Sequence, residues 1–100
     1  MSYLYIAQTA IPSEHEDEFN RLYDEEHLPN LLQVKGVRSA RRYKMEWGDA
    51  GMATYLALYE LDHPELPKTS EWKAASDKGE WSVKIRPHLR VRLHGMFRPL

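Results

Sequence analysis

Residues 22–32, LYDEEHLPNLL, are the part of this chain best suited to proton chemistry. A helix through this segment puts Phe19, Leu22, Tyr23, Glu26, His27 and Asn30 on one face, at spacings of three and four residues. A stripe that begins as a buried face therefore ends in a carboxylate, an imidazole and an amide. His27 is the strongest general acid or base, because an unperturbed imidazole titrates at about 6.5. Tyr23, one turn earlier, is placed to orient that ring or to donate a hydrogen bond to an enolate oxygen. Pro29 disfavours helical backbone at the residue before it, so the helix is expected to break or kink near Leu28, with His27 facing a cavity at the break. The same residues allow a purely structural reading. In it the Tyr23 hydroxyl and a His27 ring nitrogen are satisfied in the core, by each other or by backbone, and Glu26 reaches water from the edge of the stripe.

The elements that must position these residues follow from periodicity. Residues 3–10 alternate Tyr3, Tyr5 and Ala7 with Leu4, Ile6 and Gln8. Both sets are largely apolar, as in a central strand covered on both faces. Pro12 and Ser13 then open a helix. Ser13 and Glu16 have the spacing of a capping box, and the acidic first turn suits the positive end of the helix dipole. Asp17, Arg21 and Glu25 lie four residues apart on its wet face, where ion pairs add a few tenths of a kcal/mol. Gly36 ends the helical region. Residues 37–47 set Val37, Ser39, Arg41, Tyr43 and Met45 against Arg38, Ala40, Arg42 and Lys44, so this strand has a polar face. Gly48, Asp49 and Gly51 supply a turn into a strand over 52–61, again apolar on both faces. Pro64 and Pro67 prevent one regular helix over 62–68. Ser70 is placed to cap a second helix from Glu71, which carries Trp72, Ala74 and Ala75 and ends at Gly79. Trp81, Val83 and Ile85 follow without a firm period. The last strand, about 88–97, sets Leu89, Val91, Leu93, Gly95 and Phe97 against His88, Arg90, Arg92, His94 and Met96.

The order β-α-β-β-α-β is the split βαβ, ferredoxin-like arrangement, an α+β fold with a four-stranded antiparallel sheet. Residues 1–100 form one domain. The first and third strands are central, and the second and fourth are edges. Helices cover one sheet face. The other is too apolar to stay wet. A second copy packed sheet against sheet, with edge strands meeting, closes an α/β barrel and removes the free edges. The expected partner is thus a second copy of the chain, and the Arg- and His-rich face of the last strand is expected at that interface or its rim, or, as a plainer alternative compatible with the dimer, protects the edge against aggregation.

Composition narrows the function. The chain is 42% hydrophobic with a formal charge of -1, so no general field attracts nucleic acid or an anionic membrane. It has no cysteine, which excludes disulfides, thiolate chemistry and Cys-rich zinc sites. The start lacks the basic region and apolar run of a signal peptide, and no stretch is long enough to span a bilayer. A cytoplasmic protein is expected. His27 has no second histidine four residues on, and His88 and His94 on one strand would stand roughly 20 Å apart. No Gly-rich phosphate loop is present. Neither a metal nor another cofactor is expected.

The chain resembles the dimeric α/β-barrel proteins, and among them the EthD-like and related small-domain groups. The resemblance rests on Tyr23-Asp24-Glu25-Glu26-His27-Leu28-Pro29, a Y-x-x-x-H-x-P pattern on the first helix. Gly36-Val37, Ser39-Ala40-Arg41-Arg42-Tyr43 and Tyr55-Leu56-Ala57-Leu58-Tyr59-Glu60 extend it over nearly the whole chain. It implies a pocket between helices and sheet with His27 pointing into it, and Tyr23, Arg42 and Tyr43 as further site residues. Arg42 or Arg41 could hold a substrate carboxylate; a solvated or interfacial role is the plainer alternative. Tyr5, Tyr55, Tyr59, Trp72 and Trp81 could line an aromatic pocket, or pack as core. The expected activity is cofactor-free proton transfer on a small cyclic or aromatic oxygenated metabolite: isomerisation, cyclisation or lactone rearrangement. The alternatives are a non-catalytic dimeric protein that binds a small molecule, and a cofactor-free oxygenase of a phenol. A fold of this kind does not decide among them.

Overall fold

The computed structural model describes residues 2–100. β1 (Tyr3–Ala10) leads through a 3-10 turn (Ser13–His15) into α1 (Glu16–Leu22). A π-helical turn (Tyr23–His27) joins α1 to α2 (Leu28–Leu32) without a break. β2 (Val37–Lys44) and β3 (Tyr55–Leu61) follow, then a 3-10 turn (Leu66–Lys68), α3 (Ser70–Asp77), the short α4 (Trp81–Lys84), a 3-10 turn (Arg86–His88) and β4 (Val91–Phe97). The sheet order is β2-β3-β1-β4, and every pairing is antiparallel. This is the ferredoxin-like fold, with β1 and β3 central as their two-sided apolarity requires.

The sheet's two faces have different fates. Ala7, Tyr55, Ala57, Tyr59 and Leu61 are buried against Phe19, Leu22, Tyr23, Leu31, Trp72, Trp81 and Ile85 of the helical layer. Pairing aligns Met96, His94 and Arg92 with Tyr5, Ala7 and Thr9, so these β4 residues also face the helices. Leu4, Ile6, Leu58, Leu93 and Phe97 face the opposite way, with no layer over them. Leu4 is 42% exposed, Leu93 51% and Phe97 55%. The Arg- and His-rich side of β4 is therefore not on the open face, as the barrel interface reading required. The apolar side is.

Several local expectations need correction. The helix does not break at Leu28, whose φ of -63° and ψ of -48° are helical. The Leu28 N–H donates to the Tyr23 carbonyl, five residues back, instead of four. This wider turn accommodates Pro29, which lacks an N–H and whose ring would crowd the carbonyl four residues earlier. The Ser13–Glu16 capping box does not form, because residues 13–15 make a 3-10 turn without a side-chain cap. Glu16 instead accepts a short hydrogen bond from the Tyr55 hydroxyl. Arg21 pairs with Glu18 and Glu25 rather than Asp17. Thr69, not Ser70, caps α3: its Oγ1 accepts the Trp72 N–H at 3.2 Å. β2 stops at Lys44, β3 starts at Tyr55 and β4 starts at Val91, each shorter than alternation suggested. His88 lies in a turn, stacked on His15 with ring centroids 3.9 Å apart.

Candidate functional site

His27 closes the π turn and is 6% exposed. The turn has displaced it inward, onto aromatic neighbours. Its imidazole stacks on the Trp81 indole at 4.4 Å with 17° between planes, and meets the Tyr23 ring edge-on at 5.0 Å. Its Nδ1 is buried without a hydrogen-bond partner. An orphaned buried nitrogen is uncommon and calls for an explanation. The Tyr23 hydroxyl does not supply the partner; it shares a 3.0 Å hydrogen bond with the Tyr59 hydroxyl. The satisfied Tyr23–His27 pair is thus ruled out.

Desolvation is the main cause that lowers the His27 pKa to about 3, helped by the positive charges of Arg86 and Arg42. The ring is neutral at physiological pH. A neutral imidazole carries a donor on one nitrogen and an acceptor on the other. Burial also pushes the Tyr23 hydroxyl up and the Tyr59 hydroxyl well up, so both stay protonated. When two hydroxyls share one hydrogen bond, one O–H proton is left for a third acceptor.

These groups line a cavity of about 60 Å³ between the helices and the sheet, with Tyr5, Thr9, Trp72, Ser76, Arg86, Arg92 and His94 among its walls. Tyr5 joins it from β1, its ring 5.6 Å from Trp72 and 5.9 Å from Tyr59. The candidates Tyr5, Tyr23, His27, Tyr59 and Trp72 are therefore brought together. Arg42 and Tyr43 are not. Arg42 lies over the outer face of the Tyr23 ring, 4.4 Å from its centroid, and pairs with Asp24 and the Asn20 side chain at 2.7 Å each. It touches the Tyr23 ring, and its charge is one of the lesser causes that lower the His27 pKa. Tyr43 pairs with Leu56 in the register that faces away from the helices, and is 46% exposed. Arg41 shares that face.

A second, larger hollow lies outside. Glu16, Asp17, Asn20, Asp24, Arg42, Tyr43, Lys44 and Tyr55 line an open groove of about 560 Å³. Glu16, Asn20, Asp24, Arg42, Lys44 and Tyr55 are paired with one another, whereas Asp17 and Tyr43 make no such contact among the described residues. Glu16 accepts from Tyr55, Lys44 lies 3.5 Å from Glu16, and Asn20 donates to the Tyr55 hydroxyl at 3.2 Å.

The inner cavity has a wall that sequence periodicity did not resolve. α4 is held by Glu26, whose carboxylate accepts the Trp81 N–H at 2.7 Å. Glu26 thereby satisfies a helix-start donor from another helix, and remains half-buried at the edge of the stripe. Gly79 makes room for it: a Cβ there would stand 2.5 Å from the Glu26 carboxyl carbon, and its φ of +82° suits glycine. Arg86 fastens the far end through Asp77 at 2.6 Å and the Ser76 carbonyl and hydroxyl at 3.0 Å. The sequence signal for Arg92 and His94 was their alternation with Leu93 and Gly95. Alternation alone did not say which side faced the helices. Among the described residues no group of three or more His, Cys, Asp or Glu side chains has the arrangement to hold a metal ion. No helix among them is long and apolar enough to cross a membrane.

No family model and no curated protein sequence matches this chain. Solved structures do. The chain is similar to an EthD family protein from Bacillus halodurans, with a TM-score of 0.66, 18% identity and full coverage of both chains. It is similar to a dimeric ferredoxin-like protein of unknown function from Thermobifida fusca, with a TM-score of 0.65 and 15% identity over 99% of this chain and 92% of the other. An MhuD variant with two manganese protoporphyrin IX bound per active site superimposes with a TM-score of 0.71 at 9% identity, over 98% and 94% of the two chains. These likenesses show the ferredoxin-like fold of the single chain.

Proposed function

We propose that this protein is a cofactor-free enzyme that moves a proton within a small cyclic or aromatic oxygenated metabolite, by isomerisation, cyclisation or lactone rearrangement. Two copies pair through the open sheet face, and each holds its own cavity. The observation that carries the reading is the orphaned Nδ1 of a buried, neutral His27 on the wall of a cavity that also holds a hydroxyl pair.

A conjugate acid with a pKa of about 3 is a weak base at neutral pH. The unprotonated nitrogen of neutral His27 takes the proton from the substrate and returns it at a second position, so the ring is charged only in passing and no net proton is gained or lost. The spare Tyr23–Tyr59 proton stabilises the charge that develops meanwhile on a substrate oxygen. Neutral groups held in a dry site need little reorganisation during reaction, which is what makes such donors effective. One aromatic ring needs a cavity of roughly 150 Å³, more than the 60 Å³ present. Entry therefore requires α4 to shift outward, or the ring to lodge partly in the mouth. A porphyrin, as bound by the MhuD variant, needs several times more again, so the residues present do not fit that group.

The test compares turnover, ligand affinity and melting temperature in the wild type, His27→Ala and Tyr23→Phe. Catalysis predicts that His27→Ala lowers kcat by about 10²- to 10⁴-fold, with folding retained and a smaller loss for Tyr23→Phe. A binding protein would show altered affinity and no turnover in any form. A purely structural His27 would show chiefly a lowered melting temperature. Wild-type turnover in His27→Ala would end the proposal.

A further inference from the structure

The walls of the inner cavity carry positive charge and no carboxylate. Of its charged lining residues, Arg86 is neutralised by Asp77 at 2.6 Å. Arg92 is not neutralised. Among the described residues its side chain makes neither an ion pair nor a hydrogen bond. It projects from β4 on the helix side, where register aligns it with the buried Thr9. Its field reaches the cavity: it lowers the His94 pKa after desolvation, and opposes the burial that raises Tyr5. Arg92 and His94 are exposed, whereas Tyr59, Trp72 and His27 are buried. The cavity thus runs from a cationic mouth at the β4 edge to an aromatic interior at His27. Tyr5 spans the two, stacked on His94 at 5.8 Å and edge-on to Trp72 at 5.6 Å.

From this gradient we infer that the ligand is an aromatic or cyclic carboxylate, whose ring enters between Tyr5 and Trp72 toward His27 while its carboxylate is held by Arg92 at the mouth. This rests on the inner cavity being the ligand site and adds the ligand's charge. A guanidinium presents parallel N–H donors that match a carboxylate's two oxygens. Arg42, the arginine that sequence reading favoured for this task, is occupied by Asp24 and Asn20 and lies beyond Tyr23. Arg92 is free to do it. The orientation leaves the oxygenated ring carbons, not the carboxylate, nearest the imidazole.

Benzoate and benzamide have the same shape and differ in charge, so they isolate the inference. Their affinities are measured by NMR titration of the full chain, following the indole N–H signals of Trp72 and Trp81, in the wild type, Arg92→Gln and Arg92→Lys. Because Arg92 is exposed and unpaired, both variants should fold. The wild type should prefer benzoate by about two- to fivefold, the value of an ion pair with an exposed arginine. Arg92→Gln should bring that ratio close to one, chiefly by weakening benzoate, and Arg92→Lys should keep part of it. Equal binding of both probes by the wild type, or a benzoate preference untouched in Arg92→Gln, would overturn the inference and leave the cavity as the ligand site. Failure of both probes to move either indole would overturn the inference together with the reading it rests on.

Discussion

At the scale of single residues, His27 has a cost that can be measured. Burial holds its pKa at about 3, against about 6.5 for an unfolded chain. Above pH 6.5 the ring is neutral in both states and adds no pH dependence. Below it, the unfolded chain takes up a proton that the folded protein refuses, so stability falls as pH falls. The slope is about 1.4 kcal/mol per pH unit and continues down toward pH 3. Urea unfolding of the wild type and His27→Phe at pH 7.5 and 4.5 checks this. The wild type should lose about 2 to 3 kcal/mol more than the variant between those two values. Equal losses would mean that the folded protein can charge the ring, and so that it is solvated. The sequence already marked Tyr23 and His27 as polar groups on an apolar stripe, because helix periodicity is a property of neighbours along the chain. It did not show that Tyr23 bonds to Tyr59 or that Trp81 stacks on His27. Those contacts join residues 36 and 54 positions apart, and only the tertiary fold sets them.

At the scale of elements, two-sided apolarity was enough to place β1 and β3 in the centre, and strand order and helix positions followed. The misjudged places were those where a backbone had two ways to meet one constraint. Pro29 ends a helix if nothing holds the chain beyond it. Here α2 packs against the sheet through Leu31, and a π turn absorbs the proline instead. Ser13 and Glu16 had capping spacing, yet Glu16 found Tyr55 across the fold. For β4, alternation separated an apolar from a cationic side without saying which faced the helices. Once its register is known, the open sheet face carries Leu4, Ile6, Leu58, Leu93 and Phe97, with Arg41 and Glu60 beside them, and its apolar part is poorly solvated by water. We expect a homodimer joined by this face. Sedimentation at low micromolar concentration should report twice the 11.8 kDa chain mass. Leu93→Asp should shift it toward monomer, because a buried unpaired charge is costly at such an interface. A folded monomer of the wild type at that concentration would refute the pairing.

At the scale of the whole molecule, the sheet divides the work: one face encloses His27, and the other is available to a second copy. The helical side offers two hollows of opposite character. The outer groove is roomy, but most of its polar groups already pair with one another, and those left over, Asp17 and Tyr43, are exposed. The inner cavity is small, yet it holds an orphaned imidazole nitrogen, a spare hydroxyl proton and an unpaired arginine at its mouth. Size alone favours the outer groove, whereas unmet chemistry favours the inner cavity. A crystal structure of the protein grown with phenol, the simplest oxygenated aromatic, decides between the two hollows. Phenol should lie inside the cavity beside Tyr59 and Trp72, with its oxygen within about 3.5 Å of the His27 ring and α4 displaced outward. Phenol seated only in the groove of Asn20, Arg42 and Tyr55, with the inner cavity unchanged, would contradict the choice of the inner cavity.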